Sequence, residues 1–258
     1  MSNVVLKCEN LGIVFGGLAA VNDFDIEVRE KEIAGLIGPN GAGKTTVFNL
    51  LTKVYEPTSG EIYLNGESTA KKTTVQLSKA GIARTFQNIR LFSKLTVAEN
   101  VMTAMNQSMK YSLLEAVLRL PRYWKEEKEA RAKALELLSI FDMQGMADVC
   151  AGSLPYGAQR RLEIVRALAT EPSLLLLDEP AAGMNPAETA ELMENIGRIR
   201  DRFGIAILLI EHDMSLVMGI CDNITVLNFG QVIARGTPSE IQSNPVVIEA
   251  YLGKHKEG

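Results

Sequence analysis

The chain has 258 residues, of which 47% are hydrophobic and 22% charged, a balance that excludes a disordered or collagen-like polymer and suits one large domain or a domain with a sub-domain. Its 27 Lys and Arg against 31 Asp and Glu leave a formal net charge of −4, which argues against a general nucleic-acid binder driven by phosphate neutralisation. The cysteines, Cys8, Cys150 and Cys221, lie far apart and outside any metal-ligand spacing, so the expectation is a reducing compartment and no disulfide framework.

In chain order, Val4 to Leu6 alternates weakly and Asp25 to Val28 alternates cleanly, as a half-buried strand does. Glu32 to Ile37 is an apolar strand that runs into a Gly-rich turn. Thr45 to Lys53 has helical spacing, Pro57-Thr58-Ser59-Gly60 is loop punctuation, and Glu61 to Leu64 reads as another strand. From about Leu95 to Thr170 apolar residues recur at three and four positions, and the reading is nearly all helix. Within it the charge run Lys125 to Lys133 predicts a solvated helix face with the pairs Glu127/Arg131 and Glu129/Lys133. Strand and helix then alternate again: Leu174 to Leu177, a helix from Pro186 to Arg202, and Ile205 to Ile210. A hairpin is expected around Asn228-Phe229-Gly230-Gln231. Such alternation predicts a parallel sheet covered by helices, interrupted by a helical insert.

No stretch reaches the roughly 20 apolar residues of a membrane span. The start of the chain lacks the basic residues and apolar run of a secretory signal. The expectation is a soluble, cytoplasmic protein that something else anchors if it works at a membrane.

The strongest chemical signal is Gly38-Pro39-Asn40-Gly41-Ala42-Gly43-Lys44-Thr45. Glycines at this spacing let backbone N–H groups wrap a phosphate chain, and the following helix adds its positive end. In this pattern Lys44 reaches the β- and γ-phosphates and the Thr45 hydroxyl ligates Mg²⁺. The buried strand Leu174 to Leu177 ends in Asp178-Glu179. A strand end with two carboxylates fits a solvated terminus equally well on its own. Downstream of a phosphate loop, it puts Asp178 beside Mg²⁺ and Glu179 where it accepts a hydrogen bond from an attacking water.

Ser153-Leu154-Pro155-Tyr156-Gly157-Ala158-Gln159-Arg160-Arg161 opens a helix ahead of that strand. It resembles the L-S-G-G-Q signature of ABC ATPases, and from here the chain resembles an ABC transporter nucleotide-binding subunit end to end. The resemblance implies an α/β fold: a P-loop NTPase core with a parallel sheet, an N-terminal antiparallel β subdomain and an inserted helical subdomain. One nucleotide-binding domain would span 1–258, divided as 1–87, 88–165 and 166–258. It implies that Phe15 stacks on adenine and that Gly38, Pro39, Asn40, Gly41, Ala42, Gly43, Lys44, Thr45 and Thr46 hold the phosphates of ATP. Gln87 is implied in reaching metal and water, with Thr45 and Asp178 as the other metal residues. Glu179, His212, Gln87 and Lys44 would act in catalysis, and Asn185 would lie in the D-loop.

Leu154, Pro155, Tyr156, Gly157, Ala158 and Gln159 would face the ATP of a partner subunit. Pro155 and Tyr156 depart from the family's Ser and Gly, and proline has no N–H to give. Met184-Asn185 stands where Leu-Asp is common. His255, in the tail, is expected to be solvated.

Gly81 to Phe92, the long insert, Gln159 to Ile164, Ala181 to Pro186 and the ending Asn244 to Gly253 resemble the larger ATPase of branched-chain amino acid importers. That implies an ATP-dependent head-to-tail dimer, with itself or a second ABC ATPase, docked on transmembrane permeases at the inner face of the membrane. A substrate-binding protein outside the cell would feed the permeases, and no nucleic acid would take part. The competing expectations are an ATPase for urea or another small polar solute, one for lipid export, and a soluble ABC ATPase of translation or DNA repair.

Overall fold

A computed structural model describes residues 3–106 and 111–252; His255 and Gly253 lie outside them. The chain forms two compact units, one within 1–87 and 173–258, the other within 88–172.

In chain order the first unit contributes β1 (Val4–Phe15), β2 (Leu18–Arg29), β3 (Ile33–Ile37), α1 (Lys44–Leu51), β4 (Ser59–Leu64), β5 (Glu67–Ser68), α2 (Thr74–Lys79) and β6 (Ile82–Arg84). The second unit holds α3 (Val97–Met105), α4 (Leu113–Val117), α5 (Pro121–Leu138) and α6 (Tyr156–Leu168). The chain then returns to the first unit with β7 (Leu174–Asp178), α7 (Pro186–Phe203), β8 (Ala206–Ile210), α8 (Met214–Ile220), β9 (Asn223–Asn228), β10 (Gln231–Gly236), α9 (Pro238–Gln242) and α10 (Pro245–Leu252).

The first unit has two sheets. One is six-stranded in the order β10-β9-β3-β8-β7-β6, parallel throughout except for the β9–β10 edge. Every residue of β3, β7 and β8 is buried, which is why these strands read as unbroken apolar runs. The other sheet, β2-β1-β4-β5, is antiparallel. Along β2, Phe24, Ile26 and Val28 point into a core shared with Leu6 and Leu11 of β1 and Phe48 of α1, while Asp25 and Glu27 do not.

Three sequence expectations need correction. The weak strand at Val4 to Leu6 is the start of a 12-residue strand in a long hairpin. Its turn, Gly16-Gly17, has positive φ at both residues, the two-residue geometry that follows strand twist. Several register shifts along β1–β2 disturb the alternation that would have revealed it. Ile82 to Arg84 is a strand, paired in parallel with β7.

The stretch 95–170 is not nearly all helix: Ser139–Phe141, Gln144–Met146 and Ala151–Ser153 are short 3-10 turns, and Asp142 adopts a left-handed conformation between the first two. On α5 the charge run is solvated but pairs differently. Arg131 meets Asp148 at 2.7 Å, Lys133 meets Glu171, Glu129 meets Lys125 at 4.0 Å, and Glu127 accepts from the Tyr111 hydroxyl. Partners from other segments take Arg131, Lys133 and Glu127, and Glu129 makes its i,i+4 pair with Lys125 instead of Lys133. The hairpin expected at Asn228 to Gln231 is present as β9–β10, with Phe229 and Gly230 both at positive φ.

Candidate nucleotide site

The loop between β3 and α1 is shaped by backbone that only glycine accepts. Gly38 has φ 153°, and a Cβ there would lie 2.0 Å from the Leu227 carbonyl oxygen. Gly43 has φ 107°, with a Cβ 2.8 Å from the Ala20 oxygen. Gly43 is also the N-cap of α1, so no side chain caps that helix. Lys44 folds back over the loop, its Nζ donating to the carbonyl oxygens of Gly38 at 2.6 Å and Pro39 at 3.0 Å. Burial lowers the Lys44 pKa, and the nearby Glu179 and Asp178 carboxylates oppose that shift.

Asn40 to Thr46 line an open cleft of about 470 Å³ together with Leu18, Ala19, Ala20, Gln87, Glu179 and Phe229. At one end of it, Gln87 Nε2 donates to Glu179 Oε2 at 2.8 Å. His212 Nδ1 lies 3.8 Å from Glu179 Oε1, on a side chain that is 64% exposed. Glu179 itself has φ 48°. A left-handed backbone is costly for a branched-off side chain and is typical of functional positions. Its N–H is tied to the Ile210 oxygen at 2.9 Å, so the carboxylate is presented from a fixed turn. Asp178, one residue earlier and buried, pairs with Arg84 Nη2 through Oδ2 at 2.8 Å.

The structure thus brings Lys44, Thr45, Gln87 and Glu179 to one cleft, with His212 and Asp178 adjoining Glu179. Phe15 is not among the lining residues; it sits at the end of β1 with its ring edge-on to Tyr55, 5.2 Å between centroids. The exposed aromatic that does line the cleft is Phe229, 86% exposed at the tip of the β9–β10 hairpin. Asn185 is the N-cap of α7. Its Oδ1 accepts from the N–H groups of Ala187 and Glu188 at 3.0 Å each, and its own N–H donates to Glu188.

In the second unit, Pro155 is the N-cap of α6, which has no side-chain cap. Gln159 Nε2 donates to the Leu154 oxygen at 2.8 Å; Leu154, Gly157 and Ala158 are buried and Tyr156 is exposed. Behind them Arg160 and Glu163 form a fully buried pair at 3.1 Å.

Sequence reasoning missed three residues. Arg84 lay inside the stretch Gly81 to Phe92, where a cation beside the apolar Ile82-Ala83 was the available signal. Glu211 follows the apolar β8 directly and is buried; it accepts from the N–H groups of Ala181 and His212 at 2.9 and 3.1 Å. Phe229 carried only its turn signal.

Residues 21–182 match the ABC transporter family. The chain belongs to the ABC transporter ATP-binding family. Within that family, residues 231–257 match the branched-chain amino acid ATP-binding cassette transporter region. The high-affinity branched-chain amino acid transport ATP-binding protein LivG of Salmonella typhimurium is 49% identical over 98% of this chain and all of the relative. The corresponding protein BraF of Pseudomonas aeruginosa is 46% identical over the same shares.

Among solved structures, a nucleotide-free ATP-binding cassette from an ABC transporter aligns with a TM-score of 0.83 and 30% identity, over 97% of this chain and 100% of that one. The ADP conformation of an ABC transporter cassette aligns at 0.84 and 30%, over 97% and 99%. The fold is therefore that of an ABC ATPase, an α/β P-loop NTPase, and the cleft at residues 38–46 belongs to a nucleotide-binding, ATP-hydrolysing cassette.

Proposed function

We propose that this ABC ATPase powers the import of branched-chain amino acids, as a peripheral subunit on the inner face of the cell membrane. The observation that carries the substrate class is end-to-end likeness, at 46–49% identity, to proteins named for branched-chain amino acid transport, joined by the match of residues 231–257. Among the described residues no helix is long and apolar enough to cross a membrane; in this reading permease subunits are its partners, with a substrate-binding protein feeding them from outside.

The working form in this reading is a head-to-tail dimer, with itself or a second ABC ATPase. Residues 38–46 wrap the phosphates, and Lys44 leaves its two carbonyls for the stronger charge-assisted contact with phosphate oxygens. Glu179, turned outward and braced by Gln87, accepts the hydrogen bond of the attacking water. His212 is within reach of the same carboxylate and of the end of the phosphate chain. The side chains of Asp178, Thr45 and Gln87 offer hard oxygen donors but too few for an all-protein cage, a donor set that suits Mg²⁺ shared with substrate phosphates. A divalent cation held by these residues would supply charge neutralisation for the phosphates.

Leu154 to Gln159 of the partner subunit supply the opposite wall through the α6 N-terminus and the Gly157 N–H, with Pro155 withholding the usual hydroxyl. Asn185 crosses the dimer interface as part of the D-loop. Phe15 takes the base of ATP once it leaves Tyr55.

The test is a pull-down from detergent-solubilised membranes with Glu179→Gln protein, ATP and Mg²⁺. Recovery of two permease-like membrane proteins and a second ATPase, with a binding protein that takes leucine, isoleucine or valine, is the expected result. Recovery of ribosomes, DNA-repair proteins or nothing membrane-embedded would overturn the transport reading and leave the ATP site standing.

A further inference from the structure

Arg84 is buried at the end of β6, and its guanidinium is divided between two elements. Nη1 donates to Asn49 Oδ1 at 2.8 Å and Thr52 Oγ1 at 3.2 Å, both on or just past α1. Nη2 donates to Asp178 Oδ2 at 2.8 Å. The side chains of Arg84 and Asp178 are only 7% and 6% exposed. Two rings flank the guanidinium, Phe48 at 5.5 Å and Phe86 at 5.2 Å from its central carbon, close enough for cation–π attraction.

An arginine that served only to neutralise a buried carboxylate would engage both of its oxygens in the parallel fork that is the strongest form of the pair. Here it does not. A single contact goes to Oδ2, the second terminal nitrogen is spent on the phosphate-loop helix, and Nε is buried with no hydrogen-bond partner. A buried donor left unsatisfied is destabilising, so this arrangement is not the one that pairing alone would select. What it achieves is a cross-brace. It fixes one oxygen of Asp178 relative to the helix that carries Lys44 and Thr45, and it leaves Oδ1 with no hydrogen bond among the described residues.

We propose that Arg84 is the positioning residue for Asp178: by holding Oδ2 against Asn49 and Thr52 it reserves Oδ1 for the divalent cation that accompanies the nucleotide. The inference rests on the reading of Asp178 as a cation residue. Outer-sphere partners of this kind orient the ligating group, and their loss weakens metal binding without touching the metal. Lysine at position 84 would keep the charge but not the span, because a point ammonium cannot serve both elements through a planar fork. Asn49→Leu with Thr52→Val would keep the Arg84–Asp178 contact and remove the anchor on α1, together with the Thr52 hydroxyl's bond to the Phe48 carbonyl oxygen.

The experiment titrates Mn²⁺ into the full-length protein saturated with ADP and follows protein-bound Mn²⁺ by electron paramagnetic resonance. In parallel, binding of a fluorescent ADP analogue is measured in EDTA. Wild-type protein, Asp178→Asn, Arg84→Lys and the Asn49→Leu/Thr52→Val double variant are compared. The expected result is Mn²⁺ affinity about 10-fold or more weaker in Arg84→Lys and in the double variant, the usual scale for an outer-sphere loss, with metal-free nucleotide affinity at the wild-type value.

Wild-type Mn²⁺ affinity in both variants, with a loss in Asp178→Asn, would overturn the role of Arg84 and leave Asp178 as the cation residue. Equal Mn²⁺ affinity in wild type and Asp178→Asn would overturn both. Parallel loss of Mn²⁺ and metal-free nucleotide would make the brace merely structural and overturn the proposal. If Arg84→Lys does not fold, the double variant decides alone, since it leaves the buried ion pair intact.

Discussion

Helices α1 and α7 both begin just past the carboxyl end of a buried parallel strand, β3 and β7, and only β8 separates those strands in the sheet. Their first turns are treated in opposite ways. At α7 the chain supplies its own acceptors: Asn185 accepts from two N–H groups, Glu188 accepts from Asn185, and Pro186 removes a further donor. At α1 the N-cap is Gly43, which has no side chain, and the loop before it turns through three glycines at positive φ. Every helix leaves N–H groups at its start that need partners. Where the sequence closes them with Asn and Glu, the helix end is finished. Where it withholds any cap and adds Lys44, the end is left open to an anion from outside.

That contrast can be broken most severely at Glu179, on the loop leading to α7. Glu179→Gln keeps the turn and its contact to the Ile210 oxygen but removes the carboxylate proposed as the base. Turnover should fall by about 10²- to 10⁴-fold, the range of general-base contributions, while equilibrium binding of ATP is retained. Hydrolysis at the wild-type rate would remove Glu179 from the role. At α1, Lys44→Ala should weaken ATP binding by about 10- to 100-fold, equivalent to losing one charge-assisted hydrogen bond. Unchanged nucleotide affinity in a direct binding assay would mean that the glycine loop and helix end suffice.

Much of this difference was legible in the sequence, because both helix starts are written locally. The Gly38-to-Thr45 pattern fixes backbone geometry and charge at set spacing, and the apolar strands on either side are buried on both faces, so their runs are unbroken. What escaped depends on distant segments meeting. Arg84 acquires its meaning from Asn49, Thr52 and Asp178, and Glu211 from Ala181. Phe15 has Tyr55 as its neighbour, which no local pattern shows. The β1–β2 hairpin escaped for another reason. Its Gly16-Gly17 turn was visible, but irregular pairing erased the period-two signal that marks a strand. Between α5 and α6 the apolar spacing is helical, yet the left-handed Asp142 and repeated 3-10 turns break the chain there.

The α7 start offers a smaller test. Glu188→Ala removes the reciprocal half of the cap and should cost about 1 kcal/mol of stability, the usual scale for a lost N-cap contact, read as a shift in denaturant midpoint. Nucleotide affinity of the isolated chain should stay put. A loss of affinity with that substitution would show that the two helix starts are not independent.

The smallest effect expected comes from Glu211, the carboxylate that stands behind the α7 loop. Its oxygens accept from the N–H groups of Ala181, His212 and Asp213, so the chain itself supplies this loop with the kind of acceptor that the α1 loop must find outside. Burial raises its pKa above the ordinary 4.5, and the three N–H contacts only partly offset that. The folded state therefore holds this proton to higher pH than the unfolded state does. The resulting stability is fully present below pH 4.5 and is lost as pH rises through the raised value. Glu211→Gln keeps an oxygen acceptor and cannot ionise. Denaturant midpoints of both proteins, measured from just below pH 4.5 upward, should show the wild type losing ground to the variant as pH rises, then a constant difference. The opposite trend would mean that the N–H groups of Ala181, His212 and Asp213 stabilise the carboxylate more than burial opposes it, and the α7 loop would then be an anion site filled by the protein's own charge.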